Sequence, residues 1–75
     1  MTEKRLLPVS GMQMVKVFSK IGYKVERQKG SHIVMSKEDV ILVIPNHKTV
    51  SKGTERDLIK DAGLTVEQFN KLLNK

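Results

Sequence analysis

Only two residues, Gly30-Ser31, separate two stretches of strand-like character in this chain. A link that short allows the flanking strands one arrangement, antiparallel and side by side. Before it, Tyr23 and Val25 alternate with Lys24 and Glu26, which reads as a strand buried on one face. After it, His32 to Ser36 forms the second strand. Glycine in the first turn position suits a type II′ turn, which sets Lys29 opposite His32, Gln28 opposite Ile33 and Arg27 opposite Val34. A four-residue loop would keep the Gln28–Ile33 pairing and place His32 in the loop itself. Either way the imidazole stands at the tip of the hairpin, beside Lys29 and within reach of Arg27. Opposed β-carbons in such a ladder are about 5 Å apart, close enough for two side chains to share one phosphate.

The remaining elements can be read outward from this hairpin. Ser10 is a good N-cap for a helix running to about Lys20, with Met14, Phe18 and Ile21 at helical spacing and Met12 and Val15 broadening the stripe. Gly22 supplies the left-handed residue that ends it, and Tyr23 the accompanying apolar contact. Lys37-Glu38-Asp39 is a polar reversal leading to Val40-Ile41-Leu42-Val43-Ile44, closed by Pro45. That unbroken apolar run is expected to be the most protected strand of the sheet. Asn46 to Val50 is a loop. A helix follows from about Ser51 or Lys52 to Ala62, with Leu58, Ile59 and Ala62 inward and Gly63-Leu64 as its C-cap. Thr65-Val66-Glu67-Gln68 has capping-box form and starts a last helix with Phe69, Leu72 and Leu73 on one face. The expected fold is α+β, an α-β-β-β-α order with a three-stranded antiparallel sheet, helices on one face and a short C-terminal helix. At 75 residues the whole chain, 1–75, is expected to form one domain.

Charge narrows the function. Of the formal net charge of +6, residues 1–35 carry +5, from seven cations against two acids. The first helix, the first strand and the turn therefore hold the basic excess, which suits a polyanionic partner. There is no cysteine for a disulfide or a cysteine-based zinc site, and His32 and His47 lie 15 positions apart with no obvious carboxylate ligand set, so no metal or other cofactor is expected. Met12, Met14 and Met35 read as core filler. No apolar run approaches the roughly 20 residues that span a bilayer. The basic N-terminus lacks the apolar region of a signal peptide, so a cytoplasmic location and no membrane partner are expected.

With this order in hand, the chain resembles the HicA toxins, small prokaryotic proteins whose family fold is like a double-stranded RNA-binding domain. The resemblance rests on Val9-Ser10-Gly11 opening the first helix and Gly22-Tyr23 closing it, with Arg27-Gln28-Lys29-Gly30-Ser31-His32 at its centre. Pro45-Asn46-His47 follows the third strand, then Lys52-Gly53-Thr54 and Asp61-Ala62-Gly63-Leu64. It covers about Leu6 to Leu73. Tyr23 stands where the family often has another aromatic residue, and Ile33 where the family is variable. The resemblance implies an RNA-cleaving toxin (an mRNA interferase) held silent by a HicB-like antitoxin in a toxin–antitoxin hetero-oligomer. The family's functional histidine follows Gly-Ser, which maps onto His32.

The chemistry of the hairpin tip agrees with that implication. RNA can cut itself once its 2′-hydroxyl is deprotonated and aligned with the adjacent phosphorus. A histidine can take that proton, or deliver one to the leaving oxygen, for a gain of about 10²–10⁴-fold. Lysine and arginine can offset charge on the phosphoryl oxygens. The expected catalytic group is His32, acting without a metal. RNA contacts are expected from Lys24, Arg27, Lys29, Gly30, Ser31, His47, Lys48 and Lys52. His47 reads as a loop cap or binding residue, with a second titratable group at the site as the alternative, and Gly53-Thr54 is too short to be a phosphate loop and opens the helix, where backbone amides could still hold a phosphate or an antitoxin side chain. A second reading is a double-stranded RNA-binding module without catalysis, which needs a cation at the turn but no titrating group. A third is a remnant that pairs with an antitoxin but no longer cuts.

Overall fold

The computed structural model describes residues 5–74. They form α1 (Gly11–Lys20), β1 (Lys24–Lys29), β2 (His32–Lys37), β3 (Val40–Pro45), α2 (Lys52–Asp61) and α3 (Val66–Leu73), the expected α-β-β-β-α order followed by a short helix.

The helix boundaries follow from local chemistry. Ser10 Oγ accepts from the Gln13 amide at 3.1 Å while Gln13 Oε1 accepts from the Ser10 amide at 2.8 Å, so α1 starts in a closed capping box. It ends where Gly22 adopts φ 102°. There the Gly22 amide donates to Ser19 O at 3.2 Å and the Tyr23 amide to Phe18 O at 3.1 Å. This is the paired-bond stop that satisfies the last carbonyls, and the Tyr23 ring, 6.0 Å from that of Phe18, seals it. Gly63, with φ 81°, ends α2 in the same way, its amide donating to Lys60 O and that of Leu64 to Ile59 O. Thr65 and Gln68 form the second capping box, at the start of α3.

The sheet is antiparallel in the order β1-β2-β3. Lys29 pairs with His32, Gln28 with Ile33 and Arg27 with Val34, so the link is the two-residue turn and not the four-residue loop. Gly30 has φ 59° and Ser31 does not share the positive φ, the pattern of a type II′ turn. A register shift between Val25 and Arg27 makes Glu26 the extra residue of a bulge. Its carboxylate accepts from Ser36 Oγ at 2.6 Å.

All three helices gather on one face of the sheet. Met14, Val17 and Phe18 from α1, Ile33 and Met35 from β2, Leu42 and Ile44 from β3, and Leu58, Ile59 and Phe69 from the later helices make the core. Three expectations need correction. Val40 to Ile44 is not the most protected strand: β3 is an edge strand, with Ile41 66% exposed and Val43 also open to solvent. The run looked doubly buried because an apolar residue occupies every position, yet the helices cover only one sheet face and claim only Leu42 and Ile44. Nor is β1 buried on one face. Every residue in it is exposed, Val25 included, because it forms the other edge and bulges at Glu26. Met12, at 55% exposure, is not core filler, whereas Val17 is buried in its place.

Candidate functional site

Residues paired across the ladder share a sheet face, and rows alternate between faces. The face opposite the helices therefore presents Lys29-His32-Pro45 at the hairpin end, Arg27-Val34-Val43 behind it, and Lys24-Ser36-Ile41 last. His32 is exposed, with Lys29 directly across from it and Arg27 two positions along the strand on the same side. The ladder thus sets the imidazole and the two cations on one face, but neither Lys29 nor Arg27 lines the cleft that holds His32, and Arg27 lines a neighbouring one with Glu26, Glu38 and Asp39. Lys24, across from Ser36, lies on the same face four positions along β2 from His32, roughly 13 Å away at about 3.3 Å per residue.

The hairpin tip does not stand alone. The Asn46 amide donates to Ser31 O at 2.6 Å, joining the chain that leaves β3 to the turn between β1 and β2. The Gly11 amide then donates to His47 O at 2.9 Å, and the Val50 amide to Val9 O at 2.8 Å. The loop from 46 to 50 is pinned between the hairpin turn and the start of α1. Gly11 makes this possible, since a β-carbon there would overlap the Pro45 carbonyl oxygen and come within 2.9 Å of the Asn46 α-carbon. Two sequence landmarks far apart in the chain, Val9-Ser10-Gly11 and Pro45-Asn46-His47, are therefore two sides of one contact.

The result is an open cleft of about 510 Å³ lined by His32, Val43, Pro45, His47, Thr49, Ser51 and Thr54. Both histidines of the chain line it. Its far wall is the start of α2, where Ser51 is the N-cap and its hydroxyl donates to Thr54 Oγ1 at 2.9 Å. A helix N-terminus presents unbonded amides and partial positive charge, which favours an anion.

The other expected contact residues fall less close. Lys48 sits in the pinned loop but does not line the cleft, and Lys52 Nζ is held by Leu6 O at 3.0 Å. Gly30 contributes backbone conformation, and Ser31 its carbonyl to Asn46. Thr54 joins the cleft from the Gly53-Thr54 pair whose amides could hold a phosphate, whereas nothing in the sequence marks Thr49 or Ser51 for the site. The signal for His47 was present: β3 runs antiparallel to β2, so the residues after Pro45 must emerge beside the start of β2, where His32 stands.

One charged group lies outside this site but close to it in the chain. Glu55, in the first turn of α2, is fully buried, and neither carboxylate oxygen has a hydrogen-bond partner among the described residues. Burial pushes its carboxyl above the usual range, and Lys52 only partly opposes the shift. Among the described residues no group of three or more His, Asp or Glu could hold a metal ion, and no helix is long and apolar enough to cross a membrane.

Comparison with known proteins gives one positive finding. The family model described as "HicA toxin of bacterial toxin-antitoxin" matches residues 11–64. None of the curated proteins matches the chain.

Proposed function

The chain belongs to the HicA toxin family, the toxin half of bacterial toxin–antitoxin pairs, and from that membership and the hairpin-tip cleft we propose that it is an endoribonuclease acting on messenger RNA. Its scissile phosphate docks in the cleft beside His32. The observation that carries this reading is the exposed His32 imidazole set directly across the ladder from Lys29, with Arg27 on the same face.

In this reading His32 exchanges a proton with the 2′-hydroxyl or with the leaving 5′-oxygen, and Lys29 and Arg27 offset the charge gathering on the phosphoryl oxygens. Lys24 and Lys48 lie further off and hold neighbouring phosphates of the strand. Gly30 and Ser31 act through the backbone, by fixing the turn that aims His32. Lys52 touches RNA only if it leaves Leu6 O. No metal takes part in the chemistry, and no cofactor is called for. A HicB-like antitoxin silences the protein by occupying this end of the sheet in a hetero-oligomer, and the pair works in the cytoplasm.

Production of the protein alone in bacterial cells is expected to arrest growth and fragment messenger RNA, and the purified protein to cut RNA in excess chelator. Growth and RNA left intact, with the protein folded and abundant, would reject the nuclease. The α-β-β-β-α layout also suits a double-stranded RNA-binding module. RNA that is bound tightly in chelator but left whole would favour that reading.

A further inference from the structure

We propose that His47 is the acid–base partner of His32, so that the two imidazoles work as a pair across one phosphodiester. The inference rests on the nuclease reading above and adds a second reacting group to it. Three observations carry it. Both histidines line the same open cleft, with Thr49, Ser51 and Thr54 along the wall nearest α2. Both are exposed, so neither ring is occupied as core filler. And the backbone that presents His47 is fixed on two sides, by Asn46 to Ser31 O and by His47 O to the Gly11 amide, so its position relative to the hairpin tip is set by the fold rather than by a swinging loop.

Two such groups suit RNA transesterification because the step needs a proton removed on one side of the phosphorus and a proton supplied on the other. One imidazole, neutral, takes the proton of the 2′-hydroxyl as O2′ forms its bond to phosphorus. The P–O5′ bond breaks, and the other ring, as imidazolium, gives its proton to the departing O5′. The products are a 2′,3′-cyclic phosphate and a free 5′-hydroxyl, and the two histidines end with their protonation exchanged. The nearest cations by ladder and chain position are Lys29 across from His32, Arg27 on the same face and Lys48 next to His47, all outside the lining of the cleft, while Lys52 Nζ is held by Leu6 O. The Thr54 hydroxyl, which accepts from that of Ser51, stands at the helix end of the cleft and can donate its own proton to a non-bridging oxygen.

The test uses an RNA oligonucleotide that the unaltered protein cuts, and the same oligonucleotide with sulfur in place of the bridging 5′-oxygen at that linkage. A thiolate leaves without being protonated, so the sulfur RNA has no need of the acid. His32→Ala, His47→Ala and His47→Gln are compared with the unaltered protein, their folding checked by thermal melting. Each variant is expected to be at least about 10²-fold slower on the all-oxygen RNA, and the variants of one histidine but not of the other to return to within about 10-fold on the sulfur RNA. A His47→Ala or His47→Gln rate within about 3-fold of the unaltered protein, with His32→Ala inactive, overturns the pairing and leaves the nuclease reading standing. Variants of both histidines that stay slow on the sulfur RNA overturn it too. An unaltered protein that cuts neither RNA overturns both readings.

Discussion

At Gly11 the fit is set by the absence of a single carbon. Any β-carbon there meets backbone, the Pro45 carbonyl and the Asn46 α-carbon, which cannot rotate aside as a side chain would. Gly11→Ala is expected to cost about 1–3 kcal/mol, read as a lower denaturation midpoint, and to slow any cleavage by moving His47. Val9-Ser10-Gly11 was legible in the sequence as the opening of a helix, but nothing in it named the loop that Gly11 must admit. Glu55 was less legible still. It occupies a charged position in a charged stretch, Lys52 to Asp57, and only packing shows that its carboxylate is buried without a hydrogen-bond partner among the described residues. Glu55→Leu is therefore expected to stabilise the fold by about 1–3 kcal/mol, the cost of an unsatisfied buried polar group. The raised carboxyl sets the sign of the pH effect. Its favourable contribution is whole below the ordinary value of 4.5 and is lost as pH rises through the higher folded-state value. Melting temperatures measured from acid to neutral pH should accordingly fall more in the unaltered protein than in Glu55→Leu. Equal pH dependence in both would remove Glu55 as the cause.

Each β-hairpin depends on a turn residue with positive φ, and the two differ in how well the residue suits it. Gly30 adopts φ 59° at no steric cost, whereas Glu38 carries a side chain at a similar φ, 54°. Gly30→Ala is expected to destabilise by about 1 kcal/mol through backbone strain alone, since a β-carbon there meets nothing within 4 Å. Glu38→Gly is expected to be neutral or to stabilise by up to about 1 kcal/mol, the relief of strain set against the chain entropy of glycine. Denaturant titration of the two variants should move their midpoints in these directions, and a marked loss in Glu38→Gly would contradict the account of the second turn. The first turn and its register were readable because Gly-Ser between two strand patterns leaves little choice. Sheet order was not, since an all-apolar strand such as Val40 to Ile44 looks the same at the centre and at the edge. Neighbouring substitutions separate its two faces: Leu42→Ala should cost about 2–5 kcal/mol, while Ile41→Lys should change stability by no more than about 0.5 kcal/mol.

Over the whole molecule, folding converts an uneven charge distribution along the chain into a directed surface. Arg27 and Lys29 of β1 and the histidines of β2 and the 46–50 loop arrive toward one end of the sheet, while the core lies on the opposite face under three helices. RNA affinity measured with a non-cutting variant should fall as salt rises. Removing both Arg27 and Lys29 should flatten the slope by about one to two, at roughly 0.7 for each single-strand phosphate no longer neutralised. An unchanged slope would place the RNA elsewhere. Whether His32 does the chemistry at this cleft is read from the cleavage rate of His32→Ala on RNA in chelator, once melting shows the variant folded. His32 is exposed, so its loss should leave stability intact. Cutting should be at least about 10²-fold slower than by the unaltered protein, with RNA still bound. A folded His32→Ala that cuts at the unaltered rate would remove His32 from the chemistry.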